Sequence, residues 1–308
     1  MLPPVGVAVD APTAVAGASL RGVTVNAAGP TEIKPRVGHI QFLNCLPLYD
    51  GLIQSGALLD VDLHRDDPDA LNEALVQGDL DIGPISLIPT LQHARELLVL
   101  PDMAVGSDGP VLSVVLVGKR PPTELDGGRV ALGSTSRTSV VLARLLFEQR
   151  YGVRPSYEVM PPDLNAMLQV ADAAVLIGDV ALRATYEAPR FGLHLTDLGQ
   201  AWRDWTGLPM VFAVWAARRQ YAEDHPGMVK DVHRAFVSSL HDALAHVDDV
   251  AARAARWEIF DQRTLAGYFR ALDFSLGQRQ RDGIAEFARR AATIGAAPEG
   301  AALSFADV

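Results

Sequence analysis

"PDALNEALVQGDLDIGPIS", residues 68–86, carries a helix, a turn and a strand in one short run. Pro68 opens the helix, where its missing N–H costs nothing, and Gly78 closes it. "LDIGPIS" then reads as a buried strand, with Gly83 and Pro84 near its carboxyl end. Working upstream, "LDVDLHRD" reads as a strand. "RVGHIQFLNCLPLYDGL" reads as a strand over 36–43, a turn at Asn44-Cys45 and a short helix. Downstream the alternation continues through "RVALG", the helix after "STSRTS", then "SYEVM", "DLNAMLQVA" and "AAVLIG". Repeated strand–helix units of this length predict an α/β protein with mostly parallel sheets.

Two strands stand apart. "PVLSVVLVG" (110–118) and "LPMVFAVWAA" (208–217) are long, apolar and valine-rich, and they bracket a segment of α/β character. After the second, four helix candidates run to the end: "PGMVKDVHRAFVSSLHDALAHV", "VDDVAARAARWEIF", "DQRTLAGYFRAL" and "GIAEFARRAATIG". The economical arrangement has two lobes. Residues 36–117 and 208–308 form the first and 118–207 the second, with the two long strands crossing between them and a ligand in the interlobe cleft. Residues 1–35 read as a flexible extension. They lack a basic n-region, Asp10 interrupts their apolar stretch, and no lipidation cysteine follows.

The formal net charge of −10 offers no basic face for nucleic acid. No apolar run is long enough to span a membrane. The single cysteine, Cys45, excludes an internal disulfide and a cysteine metal cluster, and fits a reducing cytosol. Eight histidines are scattered without ligand spacing, and Walker, dinucleotide-fingerprint and zinc-protease patterns are missing. No metal or cofactor is expected.

An acidic protein that binds an anion must do so with locally placed donors, and "GSTSRTS" (133–139) supplies them. Ser134, Thr135, Ser136, Thr138 and Ser139 put five hydroxyls into six residues where a strand gives way to a helix. The first N–H groups of that helix lack intrahelical partners, and its macrodipole favours a carboxylate or phosphate there. Arg137 could add a bidentate clamp, its direction being open. The plainer alternative is an N-cap with spare surface hydroxyls. Ser86 lies at the carboxyl end of a buried strand, where open α/β sheets bind ligands, or is a satisfied turn serine. Ser113 faces either the cleft or the core. Asn44 either caps the next helix or donates to a ligand, and Cys45 reads as a small buried hydrophobe. Asp179, after Gly178 in "LIGDVAL", reads as an N-cap before it reads as a cleft acid/base.

Together these features resemble the two-lobed, periplasmic-binding-protein-like (type II) fold, "GDLDIG" being similar to a phrase common there. Within it, "RVGHIQFLNCLPLYDGL", "GDLDIGPISLIP", "DMAVGSDGPVLSVVLV", "RVALGSTSRTSVVLARLL", "DAAVLIGDVALRA" and "WRDWTGLPMVFAVWAARR" resemble the chorismate dehydratase family, which opens the futalosine route to menaquinone. The resemblance runs from about Arg36 to the "FARRA" helix. A sister enzyme of the same route, which releases 1,4-dihydroxy-6-naphthoate from cyclic dehypoxanthine futalosine, typically has a "CPND"-like turn where this chain has "NCLPL". A solute-binding protein for a small carboxylate would share the fold and do no chemistry.

The resemblance implies a cytoplasmic hydro-lyase whose partner is one small molecule, chorismate. Its product would be 3-[(1-carboxyvinyl)oxy]benzoate. It directs Asn44 and Ser113 to the reacting ring as catalytic donors, with Ser86, Ser134, Thr135, Ser136, Arg137, Thr138, Gly178 and Asp179 as substrate-binding positions. No motif supplies a base; the substrate's own side-chain carboxylate ranks first, ahead of His39 and Asp179.

Overall fold

A computed structural model describes residues 34–308 apart from 57–60 and Ser136. The expected flexible extension therefore falls, but for its last two residues, outside the described residues. Among these, ten strands make two five-stranded sheets. In chain order they are β1 (Arg36–Ile40), β2 (Asp62–Asp66), β3 (Ile82–Ser86), β4 (Leu97–Ser107), β5 (Val114–Gly118), β6 (Arg129–Gly133), β7 (Ser156–Met160), β8 (Ala173–Ile177), β9 (His194–Asp197) and β10 (Met210–Arg218).

The first sheet is ordered β2-β1-β3-β10-β4 and the second β7-β6-β8-β5-β9. Each begins with three parallel strands from successive strand–helix units, as the alternation predicts. The expectation of mostly parallel sheets fails in the remaining pairings. β10 is antiparallel to β3 and β4, and β5 is antiparallel to β8 and β9. The cause is the crossing of the chain. β5 has just arrived from the first sheet and β10 has just returned to it, and each slots in beside the third strand from the opposite direction.

The crossings themselves differ from the sequence expectation. β5 lies wholly in the second sheet and β10 wholly in the first, so neither strand spans the two. The chain passes over at 108–113, earlier than the expected boundary after 117, which falls inside β5. The run beginning at Pro110 cannot be strand from its start, because Leu112 is left-handed (φ 63°).

Helices cover the sheets. α1 (Leu46–Ser55), α2 (Pro68–Gln77) and α3 (Leu87–Gln92) belong to the first, and α4 (Thr138–Leu145), α5 (Leu164–Val170), α6 (Gly178–Glu187) and α7 (Leu198–Thr206) follow strands of the second. The C-terminal part is helical: α8 (Arg219–Asp224), α9 (Pro226–Ala245), α10 (Val247–Ala254), α11 (Gln262–Ala271) and α12 (Gln278–Thr293). α10 stops six residues short of the helix expected over 247–260, and beyond it Ala255 and Phe260 pack against the core while the residues between them turn outward. Trp257 and Ile259 stand 65% and 63% exposed. α2 keeps its sequence limits, with Asp67 accepting from Asp69 N–H and Ala70 N–H at the start and Gly78 left-handed at the end. No described helix is long and apolar enough to cross a membrane.

Three polar contacts tie the two sheets' connections together. The Arg137 guanidinium donates to Asp69 at 2.5 Å and to Glu73 at 3.1 Å, both on α2. Ile88 N–H, in the first turn of α3, donates to Thr138 Oγ1 at 3.1 Å. Leu43 N–H donates to Asp179 Oδ1 at 3.0 Å. Beside the last contact Gly178, at φ 66°, lies under the Phe42 ring, and a Cβ there would stand 2.8 Å from it. Only glycine fits this approach.

Burial raises the Asp179 carboxyl to about 6, against the opposing pull of the Leu43 N–H, with Glu258 adding to the rise. The native state then holds a proton that the unfolded chain releases near pH 4. Stability from this group is complete below that value and is lost as pH rises through about 6. Asp179→Asn keeps an acceptor for Leu43 N–H and cannot titrate. Thermal unfolding of both proteins between about pH 4 and about pH 7 is expected to show the wild-type midpoint falling relative to the variant; parallel curves would refute the shift.

Candidate functional site

A cleft of about 530 Å³, its open mouth included, lies where the connections of the two sheets meet. Its walls are mostly apolar: Ile40, Phe42, Pro68, Val105, Val111, Val114, Ile177 and Phe212. Its polar lining is Asn44, Ser86, Ser113, Thr138 and Ser139, with the Gly178 backbone. No charged side chain is among these described lining residues. Any anion seated here meets hydroxyls and an amide.

Five of the ten positions expected from the sequence line this cleft: Asn44, Ser86, Ser113, Thr138 and Gly178. Asn44 sits in a single 3-10 turn, Leu43–Cys45, directly after β1. Its Oδ1 is buried and has no hydrogen-bond partner. A buried acceptor left without a donor costs about 1–3 kcal/mol, so this oxygen belongs where a ligand hydroxyl or a water donates to it.

Ser113 is 2% exposed and is aimed by its neighbours rather than by a regular strand. The carboxylate of Asp197 accepts Val111 N–H at 3.0 Å and Leu112 N–H at 2.7 Å, and the Thr185 hydroxyl donates to Leu112 O at 2.7 Å. Ser113 O accepts Gly178 N–H at 2.9 Å, joining two lining positions. Its Oγ accepts from the buried Tyr268 hydroxyl at 2.8 Å.

Ser86 ends β3, as expected, and is held by Asn72 on α2. Asn72 Oδ1 accepts Ser86 N–H at 2.9 Å and its Nδ2 donates to Ser86 Oγ at 3.2 Å. With that lone pair taken, Ser86 keeps its own proton for a ligand. Asn72, Asp197, Thr185 and Tyr268 are absent from the sequence expectation. Asp197 carries a local signal only as the N-cap of α7, and the contact that each of the four makes at the cleft is with a residue at least 14 positions away.

The hydroxyl-rich mouth of α4 divides. Thr138 and Ser139 are buried in the lining, while Ser134 is exposed, Thr135 half-buried, and neither lines the cleft. Ser136 lies outside the described residues. Arg137 is turned outward onto Asp69 and Glu73, so its fork is already filled by carboxylates of the chain itself. Among the described residues, neither Arg137 before α4 nor Ile177 before α6 makes a side-chain capping bond to its helix.

Asp179 departs from the expected cap. It makes no capping bond to its own helix and instead accepts from Leu43 across the cleft's edge. His39 lies outside the lining and stacks on Tyr49 at 3.8 Å. Burial lowers its pKa to about 4, so the ring is neutral. Burial, with Asp179 nearby, pushes the Cys45 thiol up to about 12, and it stays an inert hydrophobe as expected. No group of three or more His, Cys, Asp or Glu placed to hold a metal occurs among the described residues.

Chorismate dehydratase from Thermus thermophilus is 33% identical over 265 residues, covering 82% of this chain and 93% of that protein. The 1,4-dihydroxy-6-naphtoate synthase of the same organism is 26% identical over 256 residues, covering 81% and 89%. The periplasmic aliphatic sulphonate binding protein of Escherichia coli superposes with a TM-score of 0.60 at 18% identity, over 87% of this chain and 94% of that one. The last likeness establishes the periplasmic-binding-protein-like fold expected from the sequence. The model of the menaquinone biosynthesis family matches residues 35–293, and the chain belongs to that family.

Proposed function

We propose that the chain is a chorismate dehydratase, a hydro-lyase that removes water from chorismate to give 3-[(1-carboxyvinyl)oxy]benzoate. The observation that carries the reading is the cleft: apolar walls with uncharged donors converging from both sheets, in a chain 33% identical to a chorismate dehydratase. The 1,4-dihydroxy-6-naphtoate synthase ranks second at 26% identity. The setting is cytoplasmic and no cofactor is used. Residues 34–107 with 210–308 and residues 114–197 act as two lobes that close on the substrate, hinged at 108–113 and around α7.

The chemistry follows from the substrate. The proton on the ether-bearing carbon is conjugated through a ring double bond to the ring carboxylate. Its removal pushes charge onto that carboxylate, and departure of the neighbouring hydroxyl leaves an aromatic ring. Asn44 and Ser113 donate to substrate oxygens where that charge develops. Ser86, Thr138 and Ser139, at the starts of α3 and α4, hold the other carboxylate. In a desolvated cleft such fixed donors stabilise charge far better than water does. The substrate's enolpyruvyl carboxylate takes the proton, since the described lining residues include no carboxylate or histidine.

Incubation of the purified protein with chorismate alone is expected to yield a product lighter by one water with benzoate absorbance. Tight binding without turnover would instead make it a solute-binding protein. Asn44→Ala and Ser113→Ala are each expected to lower kcat by about 100-fold; near-normal turnover in both would remove them from the site. With the substrate as its own base, kcat stays flat above about pH 5. An acid limb centred near 6, lost in Asp179→Asn, would give the base role to Asp179. Because no ion pair binds the substrate and the chain is acidic, added salt is expected to leave KM unchanged or lower it slightly. A rising KM would reveal a cation in the site.

A further inference from the structure

Tyr268 lies on α11, deep in the C-terminal helical part and 155 residues from the serine it touches. Its side chain is fully buried, and its ring packs on Phe269 with centroids 5.7 Å apart. Its hydroxyl donates to Ser113 Oγ at 2.8 Å. A phenol in this place is an unusual choice for a core, since a phenylalanine would fill the same space without a polar atom to satisfy.

The consequence falls on Ser113. A serine hydroxyl offers one proton and two lone pairs, and on its own it can turn to donate or to accept. Here one lone pair is occupied by Tyr268. The serine's proton has Val111 O as a protein acceptor only at 3.4 Å, the far edge of hydrogen-bond range. A ligand oxygen in the cleft is the better acceptor. Burial holds the phenol's pKa well above its ordinary value, so it remains a donor at any working pH. The hydrogen bond from Tyr268 also adds to the acidity of the serine proton, as chained hydroxyls polarise one another.

We propose that Tyr268 is a positioning residue for the reaction. By donating to Ser113 Oγ it fixes that hydroxyl as a donor aimed at the substrate. This rests on the dehydratase reading and on Ser113 touching the substrate. Tyr268 is not itself among the residues that line the cleft, and it reaches the cleft only through Ser113. Its effect passes through Ser113 alone, which separates it from a residue that merely supports the fold.

A double-mutant cycle of Tyr268→Phe and Ser113→Ala reads that dependence. Tyr268→Phe is expected to lower kcat about tenfold, equivalent to about 1.4 kcal/mol, with KM within about twofold. In the Ser113→Ala background the same change is expected to alter kcat less than about twofold. An equal loss in both backgrounds would make Tyr268 structural, and a wild-type kcat in Tyr268→Phe would remove it altogether; either overturns the proposal. Circular dichroism and a melting curve for each variant report folding separately. If the wild-type chain binds chorismate without turning it over, the dehydratase reading fails. The same cycle is then read in chorismate affinity, where persistent coupling supports the positioning role and its loss overturns it. Absence of both binding and turnover overturns both.

Discussion

Leu112 occupies the left-handed region of backbone space, and the carboxylate of Asp197 keeps it there. That conformation costs an L-residue about 1–2 kcal/mol. Asp197 accepts the Val111 and Leu112 N–H groups and so holds the bend, while its own burial raises its carboxyl above the usual value against the pull of these donors. Asp197 ends β9 and caps α7, the element that carries the chain back towards the first sheet. One carboxylate therefore holds both crossings, outward at 108–113 and homeward at α7. Ser113 points into the cleft because of that clamp, and Gly178 is joined to it through its backbone.

The cleft that results is built to work without fixed charge. Its walls are mostly apolar, and three of its hydroxyls each already accept one hydrogen bond from the chain. Ser86 is held by Asn72, Ser113 by Tyr268, and Thr138 by the Ile88 N–H. Each hydroxyl is thereby left with a proton to give. Arg137 shows the opposite solution, a cation turned outward and neutralised on α2, where it joins the two halves instead of meeting the ligand. An acidic chain that held its substrate by a buried arginine would pay heavy desolvation for it. Neutral donors at helix ends avoid that cost.

Much of this was legible in the sequence where the signal is local. The α2–β3 unit declares itself through Pro68, Gly78 and an apolar run, Ser86 stands at a strand end where such folds bind ligands, and the family resemblance points to Asn44 and Ser113. What was not legible depends on contacts between distant segments. Local periodicity cannot report that β5 and β10 insert antiparallel, since the direction of a strand is set by the crossing before it. Likewise, five adjacent hydroxyls look alike in the sequence. Only the helical register of α4 buries Thr138 and Ser139 and turns Arg137 outward towards α2. Asp179 looks like a cap because it begins α6, and only the fold brings Leu43 to it.

The same fold serves proteins that bind anions and release them unchanged, so catalysis needs something beyond an anion pocket. In the proposed reaction a proton and a hydroxide leave neighbouring ring carbons, and together they make one water. A single carboxylate can carry that proton from carbon to leaving oxygen, so no net acid or base is demanded of the protein. The described lining offers none. The chain's part is then to bring the substrate's own carboxylate to the reacting carbon and to stabilise the charge that moves onto the ring carboxylate. Both are matters of placement, which is why the work falls on residues such as Asp197 and Tyr268 that fix where a hydroxyl points.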